Sequence, residues 1–224
     1  MGWFLPEGVT TFAARIDFLY YLILVITGIV FLVVEIGLIV FLVKYRARPG
    51  RKALYYHGSA KAEIIWTSVP AVTVIIIGLL SVGVWDEVKG RESVPPDAIP
   101  YGVHGQQFEW MITYRGADGE LGTDDDFTIR NQLHIPVDQP VVMRLTSEDV
   151  IHSFFVPQFR VKQDAMPGWT INVWFEVMEV GEYEIACAEL CGQGHTTMKG
   201  RVYVHTAEDY QNWLAERVSA GSAE

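Results

Sequence analysis

The sequence predicts a membrane-anchored all-β protein with two N-terminal transmembrane helices, a following β-sandwich and a C-terminal helix. Two long apolar runs within the first 85 residues predict the helices, and short β-rich runs beyond residue 100, separated by Gly, Pro and Asp, predict the sandwich. Charge is the third observation. Residues 1–85 carry seven basic and four acidic side chains, whereas residues 86–224 carry a net charge of -13. This asymmetry favours a membrane anchor bearing an acidic soluble domain and argues against nucleic-acid binding.

The two apolar runs, residues 18–43 and 64–85, are each long enough to cross a bilayer, for which about 20 residues suffice. Basic residues concentrate between the runs, so the positive-inside rule places this loop in the cytoplasm and both termini on the opposite side. The first run is too long for a cleaved signal peptide, and its basic cluster follows it, so we expect a retained helix. The basic residues of the loop are Lys44, Arg46, Arg48, Arg51, Lys52 and Lys61.

The rest of the chain predicts a β domain and one helix. A proline-rich linker at residues 92–101 leads to β-rich runs at 101–114, 127–135, 141–146, 151–156, 170–177, 182–187 and 201–204, which indicate a sandwich or barrel. Thr206, with Asp209 three residues later, is a typical helix start and predicts a helix over 207–218. The expected units are a transmembrane helical hairpin at 1–90, a β domain at 91–205, and a C-terminal helix and tail at 206–224.

The segment from Cys187 to Met198 has the composition of a metal-binding loop. It contains Cys187, Cys191, His195 and Met198, and soft sulfur ligands select copper among the common metals. The chain has only these two cysteines. The alternatives are a disulfide, which is geometrically awkward at this spacing, and a zinc site, which rarely includes methionine. We therefore interpret the loop as a copper site.

The second cysteine indicates more than one copper ion. A single-copper electron-transfer site uses one thiolate, one axial thioether and two imidazoles, so the other thiolate is surplus to it. Two bridging thiolates would let two copper ions share one electron, and each ion would then need one histidine. His152 is the best candidate for the second histidine, because an acidic turn leads from Glu148 into the apolar strand that carries it.

These segments resemble a known family. The stretch from Glu148 to Phe154 and the loop from Cys187 to Met198 are similar to the copper-binding subunit II of haem–copper cytochrome c oxidases, and the similarity extends to residues 160–168 and to both apolar runs. The resemblance implies a cupredoxin-like Greek-key fold for the β domain. It also implies a binuclear copper centre, CuA, ligated by His152, Cys187, Cys191, His195, Met198 and the backbone carbonyl of Glu189, whose carboxylate would approach a Mg²⁺ ion shared with subunit I.

The same resemblance implies a function in respiration. The chain would accept electrons from a cytochrome c, soluble or tethered, and pass them to haem in subunit I of a cytochrome-c oxidase that reduces oxygen and pumps protons. The expected location is a bacterial inner membrane with the copper domain on the periplasmic side; the alternative is the mitochondrial inner membrane. Quinol oxidase subunits share the architecture but lack copper ligands. Nitrous oxide reductase has a similar loop but also a histidine-rich copper domain that this chain lacks.

Two carboxylates lie in or beside the apolar runs. Glu63, within a Glu-x-x-Trp-Thr pattern, matches the family's glutamate at the entrance of a proton channel in subunit I, and its alternative role is an ordinary helix-start carboxylate. Glu35 lies inside the first run, where a carboxylate is a functional candidate unless it is protonated or paired with a partner helix.

The chain differs from the family at the aromatic residue that is expected to take up electrons. The family has an exposed tryptophan where this chain has Phe108; alternatively the alignment shifts by two, and Trp110 has that role. Trp169 also stands where the family usually has arginine. We expect His57, His134 and His205 not to be ligands, and His104 precedes the segment that contains Phe108. The acidic insert 116–126 is expected to be a solvated hairpin tip, with a cation site as the alternative.

Overall fold

The computed structural model describes residues 4–90 and 92–221. It divides into two compact units, one formed by Arg15–Trp85 and the other by Met1–Ala14 together with Asp86–Glu224. The first unit holds most of both long helices, and the second holds the β-sandwich.

Two long helices, α1 (Ala13–Lys44) and α2 (Ala60–Lys89), contain the two predicted apolar runs. Both are long and apolar enough to cross a membrane, and their apolar side chains are largely exposed in the chain alone. Exposure of this kind is what a lipid-facing helix requires, because its backbone is satisfied internally and its side chains contact hydrocarbon. Each helix extends by a few residues beyond its apolar run. These extensions include Glu63 in the first turn of α2 and Lys89 in its last turn.

Within the described residues, ten strands form two five-stranded sheets, in agreement with the predicted sandwich. The first sheet has the order β3-β2-β1-β5-β8 and the second has the order β4-β10-β9-β6-β7. The fold class is therefore confirmed, including the C-terminal helix α3 (Ala207–Gly221). The strands are β1 (Ile99–Gln106), β2 (Glu109–Tyr114), β3 (Phe127–Arg130), β4 (Gln132–Pro136), β5 (Pro140–Ser147), β6 (His152–Val156), β7 (Val161–Ala165), β8 (Ile171–Glu176), β9 (Gly181–Cys187) and β10 (Lys199–His205).

The strand pattern differs from the prediction in three places. The run at 127–135 is not one strand but two, β3 and β4, which belong to different sheets. The run at 101–114 is a hairpin of β1 and β2, whose strands pair in antiparallel register around a two-residue turn at Gln107 and Phe108. Strand β7 was not predicted, because only its end residues Val161 and Ala165 are buried while its centre is polar. It is an edge strand, and an edge strand needs less apolar surface than a central one.

The core lies between the two sheets and is rich in aromatic side chains. In β2 burial alternates along the strand, so that Trp110, Ile112 and Tyr114 are buried. This alternation follows from the two-residue period of a strand, which sends successive side chains to opposite faces. Helix α3 adds Tyr210, whose hydroxyl hydrogen-bonds that of Tyr101 over 2.8 Å.

The segment that precedes α1 packs against the sandwich. Thr10 forms a β-bridge with Val177, and its hydroxyl donates to the carbonyl of Phe159 over 3.0 Å. Phe12 is fully buried, with its ring edge-on to Trp174. Residues before the first membrane helix therefore belong to the same unit as the β domain.

Candidate metal centre

The two cysteines lie close together at one end of the second sheet. Cys187 is the last residue of β9, Cys191 lies four residues on in the following loop, and both are buried free thiols. Their sulfur atoms are 3.8 Å apart. A disulfide requires about 2.05 Å, so the pair is not bonded in this structure.

His152 reaches the same point from the neighbouring strand. It begins β6, which pairs antiparallel with β9 so that Phe154 lies opposite Cys187. The imidazole is completely buried, and its Nδ1 atom is 3.9 Å from the sulfur of Cys187. The sequence prediction that a strand delivers His152 to the cysteine loop agrees with this arrangement.

The remaining donors come from the end of the loop and from its backbone. A short 3-10 turn at His195–Thr197 brings the Nδ1 atom of His195 to 3.6 Å from the sulfur of Cys191. Met198 follows, fully buried, with its thioether sulfur 3.9 Å from the same thiol. The carbonyl oxygen of Glu189 lies 3.3 Å from the sulfur of Cys187, while the Glu189 side chain is exposed. We call these six groups the ligand cluster.

The spacing of the ligand cluster fits metal binding. Two sulfur ligands at about 2.3 Å from one metal in tetrahedral geometry are about 3.8 Å apart, and a sulfur and an imidazole nitrogen are about 3.5 Å apart. The observed sulfur–sulfur and sulfur–nitrogen distances lie between 3.6 and 3.9 Å. His152, Cys187 and Cys191 alone form a group that could hold a metal ion. The donor types, two thiols, two imidazoles and a thioether, fit copper better than a hard cation.

The Cys191 thiol of the ligand cluster carries its proton at neutral pH when no metal is bound. Burial, the hydrogen bond to Cys187 and the electrostatic interaction with Cys187 together raise the pKa of Cys191 to about 11. The thiolate is the metal-binding form, so a metal must displace the proton of Cys191. Metal affinity should therefore increase with pH.

Asp149 holds the imidazole of His152 from the outer side, and sequence analysis did not identify it. Its carboxylate lies 2.8 Å from His152 Nε2, which leaves Nδ1 directed toward the cysteine. Burial raises the pKa of Asp149, but hydrogen bonds from His152, Val150 and Gln107 outweigh this effect and keep the pKa below its ordinary value. An acid three residues before a candidate histidine ligand is the signal that could have revealed it, because ligating histidines usually donate their other N–H group to such a partner.

The structure separates the two aromatic residues considered for electron uptake. Trp110 is completely buried, packed edge-on against His152 and Phe154 with ring centroids 6.0 and 5.3 Å away. This burial is at odds with the shifted alignment, which would make Trp110 an exposed residue. Phe108 is half-buried in the β1–β2 turn and faces Gly192 and Gly194 of the cysteine loop.

The other residues singled out in the sequence lie away from the ligand cluster. Glu35 and Glu63 are exposed on α1 and α2 in the chain alone. His104 pairs with Glu148 over 3.0 Å, and Trp169 is 66% exposed. In the acidic insert, Asp125 and Asp126 accept hydrogen bonds from backbone N–H groups of their own loop, as a solvated hairpin tip would.

His134 and His205 form a pair that the sequence did not predict. Their Nδ1 and Nε2 atoms are 2.8 Å apart, and the ring of His134 stacks between Tyr203 and Trp213. Burial, His205 and Arg217 together lower the pKa of His134 to about 4. The pair ties β4 and β10 to α3, and it takes no part in the ligand cluster.

Comparison with known proteins extends these observations to a family. The family model described as cytochrome C oxidase subunit II, periplasmic domain, matches residues 105–204, and the one described as the transmembrane domain of that subunit matches residues 1–84. A cytochrome c oxidase subunit 2 of Thermostichus vulcanus is 31% identical over 271 residues, covering 98% of this chain and 80% of the relative. An alternative cytochrome c oxidase subunit 2 of Bradyrhizobium diazoefficiens is 33% identical over 217 residues, covering 86% of this chain and 76% of the relative.

Among solved structures, the periplasmic domain of subunit II of cytochrome oxidase of Bradyrhizobium japonicum is 27% identical, with a TM-score of 0.49. The alignment covers 55% of this chain and 95% of that structure. The identities and coverage of the relatives, together with both family matches, confirm the resemblance found in the sequence: the chain belongs to the cytochrome c oxidase subunit 2 family, the copper-binding second subunits of haem–copper oxidases.

Proposed function

We propose that this subunit accepts electrons from a cytochrome c, soluble or tethered, and delivers them to haem in subunit I, for reduction of oxygen to water coupled to proton pumping. The observation that carries the proposal is the pair of thiols 3.8 Å apart, each facing one imidazole nitrogen. These residues would hold a binuclear CuA centre, which would supply one-electron uptake and release with the charge shared between two copper ions.

The ligand cluster has two similar halves. Cys187 and Cys191 would hold the copper ions through their thiolates. His152 and the Glu189 carbonyl lie on the side of Cys187, and His195 and Met198 lie on the side of Cys191. Each half thus offers one imidazole and one weaker donor in addition to the shared sulfurs. A near-symmetric donor set favours equal sharing of one electron, whereas a single-copper site would leave one thiolate without a function.

Burial supports electron transfer at this site. His152 and Met198 are almost completely buried, and the cysteines are less than one-tenth exposed. Excluding water and fixing the donors on strands β6 and β9 limits how far they move when the charge changes. The loop from Cys187 to Met198 reaches the surface at Glu189 and Gln193, and Phe108 is half-buried, so Phe108 is our candidate for electron uptake.

The proposed donor side is outside the cytoplasm. Residues before α1 pack on the β domain through Thr10 and Phe12, so the N-terminus and this domain should lie on the same side of the membrane. The basic loop between the helices then lies on the other side, as the positive-inside rule expects. We propose a bacterial inner membrane with the β domain in the periplasm. The net charge of -13 over residues 86–224 would attract a basic cytochrome c.

Two carboxylates have proposed roles that depend on subunit I. Glu63 lies in the first turn of α2, and we propose that it accepts protons at the cytoplasmic entrance of a channel in subunit I. The side chain of Glu189 is exposed although its carbonyl belongs to the ligand cluster. We propose that this carboxylate contributes to a Mg²⁺ site shared with subunit I, since Mg²⁺ prefers oxygen ligands.

Copper stoichiometry tests the proposal most directly. The full chain in detergent is reduced, loaded with copper and freed of excess metal, and copper per chain and the EPR spectrum are then measured. We expect two ions per chain and the spectrum of one unpaired electron shared between them. One ion per chain with an ordinary mononuclear Cu(II) spectrum would contradict the binuclear assignment.

A further inference from the structure

The β1–β2 turn, Gln107 and Phe108, contacts both segments that supply the ligand cluster. One segment runs from Asp149 to His152 and precedes β6; the other is the loop from Cys187 to Met198. The two segments are far apart in sequence and meet only in the folded domain. A short turn that bonds to both can therefore fix their separation.

The backbone N–H and the side-chain amide of Gln107 hydrogen-bond to different segments. Its backbone N–H donates to Asp149 Oδ2 over 2.7 Å, while Asp149 Oδ1 lies 2.8 Å from the imidazole of His152. Its side-chain amide donates to the backbone carbonyl of Cys191. One hydrogen bond therefore links Gln107 to Cys191, and two successive hydrogen bonds link it to His152 through the Asp149 carboxylate.

Close packing supports this contact. A Cβ atom at Gly192 would lie 2.7 Å from the amide nitrogen of Gln107, and one at Gly194 would collide with the ring of Phe108. Gly192 also has a φ of 134°, a conformation that L side chains rarely adopt. The glycines let the loop lie directly against the turn, so the turn restricts where Cys191 and His195 can move.

We propose that Gln107 is a positioning residue of the copper centre, holding Cys191 and His152 at the separation that the binuclear site requires. The inference rests on the proposed function, because it concerns the same ligand cluster. Gln107 touches no ligand atom itself and acts through the Cys191 backbone and the Asp149 carboxylate. Outer hydrogen-bond partners of this kind orient ligands and tune the metal.

The test compares Gln107→Leu with Gln106→Leu in the copper-loaded full chain in detergent. Gln106 precedes Gln107 at the same turn, and its amide bonds Glu109 rather than either ligand segment, so it is a matched control. Gln107→Glu keeps the shape of the side chain but removes the amide N–H donor. It replaces Gln107→Leu in the test if the leucine variant does not accumulate. The measurements are copper affinity by chelator competition, the EPR spectrum, the reduction potential, and thermal unfolding of the copper-free chain.

We expect Gln107→Leu and Gln107→Glu to lower copper affinity by about 10- to 100-fold and to change the EPR spectrum and reduction potential, while Gln106→Leu matches the parent. Altered unfolding with unchanged affinity, spectrum and potential would reduce Gln107 to a merely structural role and overturn the proposal. If the parent shows two coppers and normal spectra, such a result leaves the proposed function intact. A parent that binds no copper pair would instead overturn the proposed function itself.

Discussion

The ligand cluster and the second membrane helix both carry residues of proposed function, but only the ligand cluster is completed by contacts within the chain. Each of its donors lies within 3.9 Å of another, and Asp149 and Gln107 support them from outside. Glu63 on α2 is exposed in the chain alone, as are most of the apolar residues around it. The copper site can therefore be tested in the isolated subunit, whereas the proposed role of Glu63 must be tested in the assembled oxidase.

Replacing a bridging cysteine should have the largest effect. Cys187→Ser or Cys191→Ser leaves a single thiolate, which cannot bridge two ions as a pair does, so we expect the shared-electron EPR signal to disappear. Met198→Leu is the comparison variant: it removes a weaker donor and should retain copper with a shifted reduction potential. A normal shared-electron spectrum in either serine variant would contradict the ligand assignment.

Removing the outer partner of His152 should have the next largest effect. Asp149→Ala frees the imidazole to rotate and removes a negative charge beside it, so we expect a fall of about 10- to 100-fold in copper affinity. Chelator competition on the full chain measures this. The control is Glu148→Ala, because Glu148 is adjacent in sequence but its carboxylate pairs with His104, outside the ligand cluster. Equal affinities in the two variants would show that Asp149 does not orient His152.

The sequence predicted the donor residues of the ligand cluster better than the residues that hydrogen-bond to them from outside, Asp149 and Gln107. Cys187, Cys191, His195 and Met198 fall within one loop, so their chemistry is visible in a short stretch. Asp149 carries a weaker local signal. Gln107 carries none, because its hydrogen bond to Cys191 joins residues 84 positions apart and depends on how β1, β6 and β9 are arranged.

The same limit applies to the fold. The membrane helices follow from composition alone, since about 20 apolar residues in succession have few alternatives. Strand β7 was missed because its register with β6, in which Ala165 lies opposite His152, is set by pairing rather than by its own apolar content. The His134–His205 pair likewise depends on the parallel pairing of β4 with β10, which no local sequence pattern predicts.

The His134–His205 pair should make the β domain sensitive to acid, independently of the copper site. In the unfolded chain His134 takes up a proton near pH 6.5, but in the folded chain it does so only near pH 4 because of burial, His205 and Arg217. Its contribution to stability is therefore complete above pH 6.5 and declines as pH falls toward 4. Allowing for solvent screening, we expect the loss to be about 1–2 kcal/mol.

Unfolding of the copper-free full chain in detergent, measured between pH 7 and 4, tests this prediction. His134→Gln removes the titrating group and should flatten the pH dependence relative to the parent. His57→Gln is the control, because His57 lies in the exposed loop between the membrane helices. Parallel pH profiles for the parent and His134→Gln would show that the pair does not contribute.

The smallest expected effect in the isolated chain comes from Glu63→Gln. The substitution preserves size and leaves the β domain untouched, so copper content, EPR spectrum and reduction potential should equal those of the parent. In the assembled oxidase, by contrast, loss of a proton-accepting group should slow steady-state turnover several-fold, as expected for general acid–base groups that contribute to proton movement. Reduction of copper by the donor should stay at the parental rate, because the proposed site of electron uptake lies in the other unit. Turnover of the Glu63→Gln oxidase that matches the parent across pH would return Glu63 to the role of a helix-start carboxylate favoured by the α2 dipole. A changed copper spectrum would contradict the expected independence of the two regions, because it would show that α2 and the ligand cluster influence each other within one chain.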